Sequence, residues 1–495
     1  MVLRNFFKEN KTFLVLLFIV VAIRLVNINM PILEGTATRQ VQTAMIARNL
    51  YTNGFNLFYP QVDFLGPGPG YLVLEFPLLN FIAAVFYVLC GGVHEWIGRL
   101  ISISFFAGSV IFLFSLIRRL FEERTALITI VIYSISPLGL IYSRAFMPDF
   151  EMIFFFIGAL YFMYLWSVGD KDRFFWFSAI FAMMAMLSKI QAFCICIPLL
   201  AMIWQRQHLS FLFKARSWAY FLIVSIPVLL WYMHAKNVHL AYSQSVLYAF
   251  QTSNWFSFHI FISPKFYIEM FEHGWMQMLT PVGFTLFLFG LFLKIDSQQG
   301  KILRAWLCGT VVYMVVFITH MRDPYYNLLF LPITSIFAAR AVVWIWQHAS
   351  GEMIFLHSRF ARIVGIVLLL ILIGRYAVYA YVVPRGYRHI PMLAKTIEQM
   401  TDKNDLLITS LPDGHSAHYY SKRKGWDFGL PGNDPEKTKE AIARIEELQK
   451  KGAKYFVSVC EDFLEQSAEF QHYLRRRYVV VKEEPGLYSI FLLKL

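Results

Sequence analysis

The chain has 495 residues, of which 58% are hydrophobic, 18% aromatic and 16% charged, and its mean hydropathy is +0.52. This composition excludes a soluble domain of the same length and indicates a protein embedded in a lipid bilayer. The formal net charge of +13 does not indicate binding to nucleic acid, because the excess lies in short loops where anionic lipid headgroups attract basic side chains.

Eleven apolar segments are predicted to be membrane-spanning helices, which need about 17 to 25 residues; their bounds are placed to within several residues. A further apolar segment, 72–93, is interpreted as non-spanning, because this choice places the basic residues of 118–124 on the same side as the basic N-terminus. That side is predicted to be the cytoplasm, since cytoplasmic loops are rich in Lys and Arg. The predicted spans are 12–30, 97–117, 124–143, 150–168, 174–188, 190–205, 217–234, 279–293, 303–319, 326–346 and 362–383.

The first span lacks a small-residue cleavage site ahead of Pro31 and is expected to be a retained anchor. Eleven spans place the polar tail on the opposite side of the membrane, which is the periplasm in a bacterium. We therefore predict a multi-pass protein of the inner membrane with two domains: a transmembrane catalytic domain over 1–384, whose first periplasmic loop is 31–96, and a periplasmic domain over 385–495.

The tail has the pattern of a small α/β domain. Residues 405–410 and 454–460 read as buried strands, and 434–451 reads as a charged amphipathic helix. Residues 478–482 and 487–493 flank Pro485–Gly486 in the pattern of a hairpin. The predicted fold class is thus a polytopic α-helical membrane protein with a small C-terminal α/β soluble domain.

The first loop is polar although it lies beside the membrane. Within 38–51, apolar residues recur at helical spacing, while Arg39, Gln42 and Arg48 lie elsewhere around the axis. This pattern predicts an amphipathic helix along the membrane surface. The alternating Gly and Pro residues of 66–70 follow and exclude regular structure there.

Several ionisable side chains occur at the ends of spans on the same side of the membrane. Charges at this depth are costly and usually face a cavity or a partner, so we expect them to converge on one cavity. Two tyrosines of this group also fit the aromatic belt found at membrane interfaces. The group consists of Arg144, Asp149, Lys189, Lys265, His320, Arg322, Tyr325 and Tyr326.

Four local patterns occur in a defined order along the membrane part: RQVQTAMIARN at 39–49, EFPL at 75–78 with HEWIGRL at 94–100, SP at 136–137 leading to RAFMPD at 144–149, and His320 followed by PYY at 324–326. In this order the chain resembles the GT-C superfamily of membrane glycosyltransferases, in the branch that contains protein O-mannosyltransferases and lipid A aminoarabinose transferases. The resemblance covers the whole membrane part.

The resemblance implies the GT-C fold and an inverting glycosyltransferase. Its donor would be a sugar on a polyprenyl phosphate, with an undecaprenyl carrier in a bacterium, and its acceptor a hydroxyl of a cell-envelope glycan, a lipid such as lipopolysaccharide, or a protein. Attack by that hydroxyl requires a carboxylate base within hydrogen-bond reach, and the departing phosphate requires positive charge.

Relatives carry the base as an acid just ahead of the first-loop helix, where this chain departs from the pattern and has Arg39. The nearest carboxylate is Glu34, which we predict to be the base, with Asp149 and Asp63 as alternatives. The simpler interpretations are a headgroup-level acid for Glu34, a turn carboxylate for Asp63 and a mutual ion pair of Asp149 with Arg144.

The remaining site residues are predicted to bind substrate. Lys189, Lys265, His320 and Arg322 are candidates for the lipid phosphate, and Glu75 matches a sugar-contacting or metal-contacting position of the relatives. No cofactor is certain, and a divalent metal at Glu75 is an open alternative. The full predicted substrate-binding set is Arg39, Arg48, Glu75, Arg144, Lys189, Lys265, His320, Arg322, Tyr325 and Tyr326.

Other features carry less information. The five cysteines imply neither a disulfide framework nor a metal site, and His415 with His418 is a weak metal pattern. A transporter or flippase of a lipid-linked sugar is the alternative function, although no internal repeat is visible. A non-catalytic lipid-binding scaffold would share the same architecture.

Overall fold

The computed structural model of the chain describes residues 10–169, 171–243, 255–295, 297–348, 371–411 and 414–493. Most of them are helical. The helices are α1 (Lys11–Leu25), α2 (Ala37–Asn53), α3 (Leu78–Leu89), α4 (Glu95–Leu120), α5 (Glu123–Ile135), α6 (Pro137–Tyr142), α7 (Asp149–Val168), α8 (Arg173–Ser188), α9 (Cys196–Gln207), α10 (Ala215–Val238), α11 (Phe258–Phe261), α12 (Pro264–Met270), α13 (Met276–Phe292), α14 (Ser297–Val316), α15 (Leu331–His348), α16 (Ile390–Met400), α17 (Gly414–Ser421), α18 (Pro435–Lys450), α19 (Glu461–Glu465) and α20 (Ala468–Arg477).

Within the described residues, five helical stretches are long and apolar enough to cross a membrane by length and composition. The chain is a multi-pass membrane protein, while the number of eleven spans stays a prediction. Residues 1–9 of the predicted cytoplasmic N-terminus and 362–370 of the last predicted span lie outside the described residues. The five stretches are Glu95–Leu120, Asp149–Val168, Ala215–Tyr242, Pro264–Phe292 and Pro324–His348.

The apolar segment 72–93 forms a short helix. Helix α3 has 12 residues and is therefore about 18 Å long at 1.5 Å per residue. The hydrocarbon core of a bilayer is about 30 Å thick, so α3 alone cannot cross it. This length agrees with the interpretation of 72–93 as a non-spanning segment.

The chain forms two compact units. The first consists of 1–28, 99–234 and 250–381, and the second of 29–98, 235–249 and 382–495. The first loop thus belongs to the same unit as the C-terminal domain. The predicted division at 384 and 385 stays a prediction.

The helices of the first unit pack around one apolar core, with α7 against α8 and α15 against both α5 and α13. Ser136 and Pro137 separate α5 from α6: the Ser136 hydroxyl caps α6 by accepting the Gly139 N–H at 3.1 Å, and proline is favoured at the first helical position. The same hydroxyl donates to the Met278 carbonyl at 2.6 Å. This turn positions the segment that leads to Asp149.

In the second unit, helix α2 confirms the predicted first-loop helix but differs in burial. An amphipathic surface helix would bury one face, whereas all residues from Gln40 to Leu50 are buried. Helices α3 and α17 pack on α2 within this unit and cover its polar side. The polar face of α2 is therefore occupied by hydrogen bonds inside the protein.

The C-terminal α/β domain is confirmed. Its strands are β1 (Leu406–Ser410), β2 (Gly425–Phe428), β3 (Ala453–Ser458), β4 (Val479–Glu484) and β5 (Tyr488–Leu492), in the order β2-β1-β3-β5-β4. Strand β1 pairs in parallel with β2 and β3, and β5 pairs antiparallel with β3 and β4. The predicted helix is α18, which Asp434 caps by accepting the Glu436 N–H at 3.0 Å.

The first loop pairs with the edge strand of this sheet. The Gly425 N–H donates to the Asp63 carbonyl at 2.9 Å, and the Gly66 N–H donates to the Gly425 carbonyl at 2.7 Å. Gly66 has a φ of +97°, and a Cβ atom there would lie 2.9 Å from the Trp426 indole nitrogen, so glycine is required for this approach. The loop thereby covers an edge that would otherwise expose unpaired backbone groups.

Candidate active site

An acid and a lysine form a buried pair in the first unit. Asp149 is the first residue of α7, and Lys189 follows α8 in extended conformation. The Lys189 Nζ lies 2.8 Å from the Asp149 Oδ1, and the two side chains are 5% and 1% exposed. The Asp149 Oδ2 has no hydrogen bond among the described residues. One oxygen of this buried carboxylate is therefore available to a ligand.

Two tyrosines cover this pair. The Lys189 Nζ lies 4.8 Å from the ring centroid of Tyr325 and 5.6 Å from that of Tyr326, which is within the range of cation–π attraction. The His320 ring lies 5.2 Å from the Tyr326 ring, and the Tyr313 hydroxyl donates to the Tyr326 carbonyl at 2.8 Å. The structure thus brings Asp149, Lys189, His320, Tyr325 and Tyr326 together.

A second carboxylate, Glu151, lies two residues beyond Asp149 in the first turn of α7. The Glu151 Oε1 accepts the Ser188 hydroxyl at 2.9 Å, and both residues are buried. The sequence pattern did not single out Glu151 as a site residue. Its position two residues after Asp149 is the signal that could have done so, because both acids then belong to one helix terminus.

Arg144 does not pair with Asp149, so the simpler interpretation of these two residues as a mutual ion pair is wrong. The buried Arg144 guanidinium donates to the Asn27 carbonyl at 3.1 Å and lies 4.4 Å from the Tyr381 ring centroid. Asp149 begins α7, and Lys189 directly follows the end of α8. Because these two helices pack on each other, Asp149 faces Lys189 instead.

Lys265 and Arg322 are exposed and do not join the buried cluster. Both lie near Glu269, at 3.8 Å and 3.7 Å, with side chains 87% and 58% exposed. Arg322 also lies over the Phe266 ring at 5.7 Å. The expectation that all these charges converge on one cavity is therefore wrong for this pair, because helix α12 holds their common partner at the surface.

In the second unit, Glu34 is buried in a loop held by three hydrogen bonds. Its carbonyl accepts the Gln40 side-chain amide at 2.8 Å. Two residues earlier, the Ile32 N–H points to the Glu95 carboxylate at 3.2 Å and to the Tyr420 hydroxyl at 3.0 Å. Burial and the adjacent Glu95 carboxylate raise the pKa of Tyr420, so its hydroxyl stays protonated and can donate to that carboxylate.

Sequence reasoning missed Glu95 and Tyr420. Tyr420 lies in the C-terminal domain, 388 residues from Ile32 in the chain. No local spacing can predict such a contact. Only the pattern HEWIGRL, which contains Glu95, marked one of the two partners.

Arg39 and Glu75 form an ion pair at 2.7 Å, and Arg39 also donates to the Gln42 side-chain oxygen at 2.9 Å. Among the described residues, no group of three or more His, Cys, Asp or Glu side chains has the arrangement of a metal site. A carboxylate neutralised by an arginine does not fit a divalent cation. Glu75 therefore does not fit the divalent metal that the sequence left open.

Arg48 and Asp63 form a second buried ion pair in this unit. Arg48 also donates to the Tyr419 carbonyl at 2.7 Å, and the Asn49 amide donates to the Asp63 Oδ1 at 3.0 Å. Both oxygens of Asp63 are thus hydrogen-bonded inside the protein. Asp63 is a tertiary contact and not the self-capping turn acid of the simpler interpretation.

His415 and His418 of α17 lie beside Asp427 of β2. The His415 Nδ1 is 3.1 Å and the His418 Nε2 3.9 Å from its carboxylate oxygens. Burial lowers the pKa of His415 to about 3, with the neighbouring His418 and Arg39 acting in the same direction. Burial raises the pKa of Asp427 to about 8. This cluster is held uncharged near neutral pH.

One family model and several solved structures are similar to this chain. The family model for dolichyl-phosphate-mannose-protein mannosyltransferases matches residues 75–231. The crystal structure of ArnT from Cupriavidus metallidurans bound to undecaprenyl phosphate superposes with a TM-score of 0.62 at 15% identity, over 98% of each chain. The chain has the GT-C fold.

Two further structures agree with this fold. Apo ArnT from the same organism gives a TM-score of 0.63 at 16% identity over 98% of each chain. The Archaeoglobus fulgidus oligosaccharyltransferase tethered to an acceptor peptide gives 0.61 at 12% identity, over 99% of this chain and 75% of that one. The search of curated proteins found no match. The resemblance to the GT-C superfamily inferred from the local motifs is confirmed.

Proposed function

We propose that this GT-C chain is an inverting glycosyltransferase that moves a sugar from a polyprenyl phosphate to a hydroxyl acceptor. The observation that carries the proposal is the whole-chain match to ArnT, whose structure contains undecaprenyl phosphate, over 98% of both chains. The matched family model describes transferases that use a dolichyl-phosphate sugar, which is also a polyprenyl-phosphate donor.

The transfer is a single displacement at the anomeric carbon. The acceptor oxygen forms a bond to that carbon as the bond to the phosphate oxygen breaks, and the electron pair leaves with the polyprenyl phosphate. The acceptor proton passes to a carboxylate base. Attack opposite the leaving group inverts the anomeric configuration. The atoms and electrons of this step balance without a further reactant.

Glu34 is the proposed base, and Asp149 and Asp63 remain the alternatives. Glu34 is buried, and its loop is fixed by Gln40 and by the hydrogen bonds of Ile32, which favours a fixed carboxylate position. The Arg48 and Asn49 contacts of Asp63 make it the weakest of the three, because a base needs an oxygen free to take the proton.

Lys189 is the proposed counter-charge for the donor phosphate, and Asp149 the group that holds its ammonium in place. A buried lysine beside two tyrosine rings can exchange its contacts with Asp149 for contacts to a phosphate, since charge-assisted hydrogen bonds to phosphate are strong. His320 lies at the edge of the same cluster as a further donor.

The proposed location is the inner membrane of a bacterium, with the N-terminus in the cytoplasm and the C-terminal domain in the periplasm. The acceptor would be a glycan, lipid or protein of that compartment. The alternative function is transport of a lipid-linked sugar, which the buried charges of the first unit would also permit.

The test is release of free polyprenyl phosphate from polyprenyl-phosphate sugars by purified protein in detergent, with acceptors present. We expect Glu34→Gln to reduce the release by about 10²- to 10⁴-fold, the usual contribution of a general base. Glu440→Gln, on the exposed side of α18, is the matched control and should behave as wild type.

Three results decide between the assignments. Full release by Glu34→Gln together with loss in Asp149→Asn moves the base to Asp149. Loss in Asp63→Asn alone, with the unfolding midpoint retained, moves it to Asp63. Release from no donor, together with movement of a labelled lipid-linked sugar across vesicle membranes, supports the transporter.

A further inference from the structure

A polar cavity of about 500 Å³ lies within the second unit. Its wall combines the C-terminal end of α2 and the following loop with two turns of the C-terminal domain. Of its lining residues, the proposed chemistry involves only Asp63, as an alternative base. The lining contains Arg48, Asn49, Thr52, Asn53, Asp63, Pro67, Lys403, Asn404, Leu406, Lys422 and Lys424.

The charge of this lining is strongly positive. Four cations face one carboxylate, and that carboxylate, Asp63, is already neutralised by Arg48. Among the residues that line the cavity, the ammonium groups of Lys403, Lys422 and Lys424 therefore have no carboxylate partner. A concave wall with one sign of charge concentrates counter-ions of the opposite sign.

Two of these lysines have local contacts or conformations that the structure defines. Lys422 has a φ of +53°, a left-handed conformation that is uncommon and costly for a residue with a Cβ. The Lys424 Nζ donates to the Gly68 carbonyl at 2.9 Å. Glu398 lies 3.8 Å from the Lys422 Nζ, but both side chains are exposed, so solvent screens this pair.

The size and polarity of the cavity narrow the class of ligand. About 500 Å³ lies within the range of small-molecule sites and exceeds what one phosphate ion fills. Asn53 and Asn404 offer amide groups that match sugar hydroxyls, and the Thr52 hydroxyl oxygen, which donates to the Arg48 carbonyl, can still accept a hydrogen bond. The Asn49 amide is already bonded to Asp63 and Gln61. Leu406 and Pro67 are the two apolar residues of the wall.

We propose that this cavity binds a sugar unit that carries a phosphate or carboxylate group, with Lys403 and Lys422 on the anion and Asn53 and Asn404 on the hydroxyls. The site holds an anionic part of the acceptor glycan; this role rests on the proposed transferase function. Binding itself does not, because it requires neither the donor nor turnover.

The experiment is a calorimetric titration of the purified full-length protein in detergent. The probes are glucose 6-phosphate, glucuronate, glucose and inorganic phosphate, each to about 10 mM, which detects dissociation constants near 1 mM. We expect at least one anionic sugar to bind and glucose to bind at least about tenfold more weakly. Raising the salt from about 0.05 M to 0.5 M should weaken the binding.

The variant pair is Lys403→Gln with Lys422→Gln, because neither side chain holds the loop. We expect this double variant to lose at least about tenfold in affinity, the equivalent of one charged contact. Lys437→Gln with Lys439→Gln removes the same charge from the exposed surface of α18 and should bind as wild type. Equal unfolding midpoints show that both variants fold.

Several results would overturn the proposal: no binding of either anionic sugar, equal binding of glucose, binding of inorganic phosphate as tight as that of the sugars, or wild-type affinity in the Lys403 and Lys422 variant. If the anionic sugars bind but no donor releases polyprenyl phosphate, the binding site stands and the transferase fails. If release occurs without binding, the transferase stands and the site fails.

Discussion

Asp63 and Asp149 are both carboxylates in buried ion pairs, one in each unit, yet their remaining bonds differ. Asp63 has Arg48 on one oxygen and the Asn49 amide on the other, and its carbonyl accepts the Gly425 N–H. Asp149 has Lys189 on one oxygen, while the other has no hydrogen bond among the described residues.

This difference separates a structural role from a chemical one. A buried ion pair with all its hydrogen bonds formed connects elements, here the first loop and α17, and removing one partner leaves an unpaired charge. A buried carboxylate with one oxygen unused costs free energy in the folded protein. Such a cost is typical of sites that receive a ligand.

The largest expected effect tests the pair of the first unit. Asp149→Asn with Lys189→Met removes both charges together, so the variant leaves no unpaired ion and should keep its unfolding midpoint. Its turnover of the proposed transfer should fall by about 10²- to 10⁴-fold. Release of polyprenyl phosphate and thermal unfolding in the same detergent measure the two quantities. Turnover within threefold of the Glu440→Gln control would place this pair with Asp63 as a structural contact.

The next effect tests the pair of the second unit through stability. Arg48→Ala leaves Asp63 buried without its cation and should lower the free energy of unfolding by about 3–5 kcal/mol. Arg48→Met with Asp63→Asn removes both charges and should recover most of that loss. Chemical unfolding followed by the fluorescence of Trp426, which packs beside Gly66, is the measurement. The control is Lys437→Ala, because Lys437 forms an exposed pair with Asp434. We expect this variant to lower the free energy of unfolding by less than about 1 kcal/mol.

A single-mutant cost no larger than that of the Lys437 control would contradict the structural role of Arg48. Equal losses in the single and double variants would show that the stability lies in the Arg48 contacts to Tyr419 and not in the charge pair.

The sequence predicted the secondary structure of both units better than the contacts between their residues. Apolar length predicted the long helices, and β-branched runs with a Pro–Gly turn predicted β1, β3 and the β4–β5 hairpin. Strand β2 was missed because Gly425–Phe428 has four residues and no alternation. Burial of α2 was missed because helical spacing describes one helix and not the α17 surface that covers it.

The candidate site shows the same limit. Residue type and membrane depth selected Asp149 and Lys189, since charges there are costly. They could not choose the partner of Asp149, because Arg144 and Lys189 are equally plausible before the packing of α7 on α8 is known. Lys265 and Arg322 satisfied the same criterion yet lie at the surface, because their common partner Glu269 lies on the outer side of α12.

A third carboxylate, Asp427, extends the comparison of Asp63 with Asp149. Its neighbours are the histidines His415 and His418, whereas the neighbour of Asp63 is an arginine. The pKa of Asp427 is raised from 3.8 to about 8, so the folded state binds the proton more tightly and stability falls as pH rises from about 4 to 8. The lowered pKa of His415 acts oppositely below 6.5, since there the unfolded state binds more protons.

Above pH 6.5 the Asp427 effect dominates. We expect the free energy of unfolding to fall by about 2 kcal/mol between pH 6.5 and 8, at 1.36 kcal/mol for each pH unit. Asp427→Asn should remove this fall, while Asp434→Asn, at the exposed cap of α18, should leave it. Hydrogen exchange of the β1 amides across this pH range is the measurement. An unchanged slope in Asp427→Asn would show that another group titrates.

The smallest expected effect concerns the exposed charges of the first unit. Lys265 lies 3.8 Å from Glu269 with its side chain 87% exposed, and solvent screens such a pair to below about 1 kcal/mol. Lys265→Ala should therefore change neither the unfolding midpoint nor phosphate release by more than about twofold. Parallel assays of Lys265→Ala and Lys189→Ala make the comparison direct, because both remove one ammonium group from the same unit. A tenfold loss of release in Lys265→Ala, with stability retained, would return Lys265 to the lipid phosphate and show that exposure is a poor criterion for separating ligand-binding charges from solvated ones.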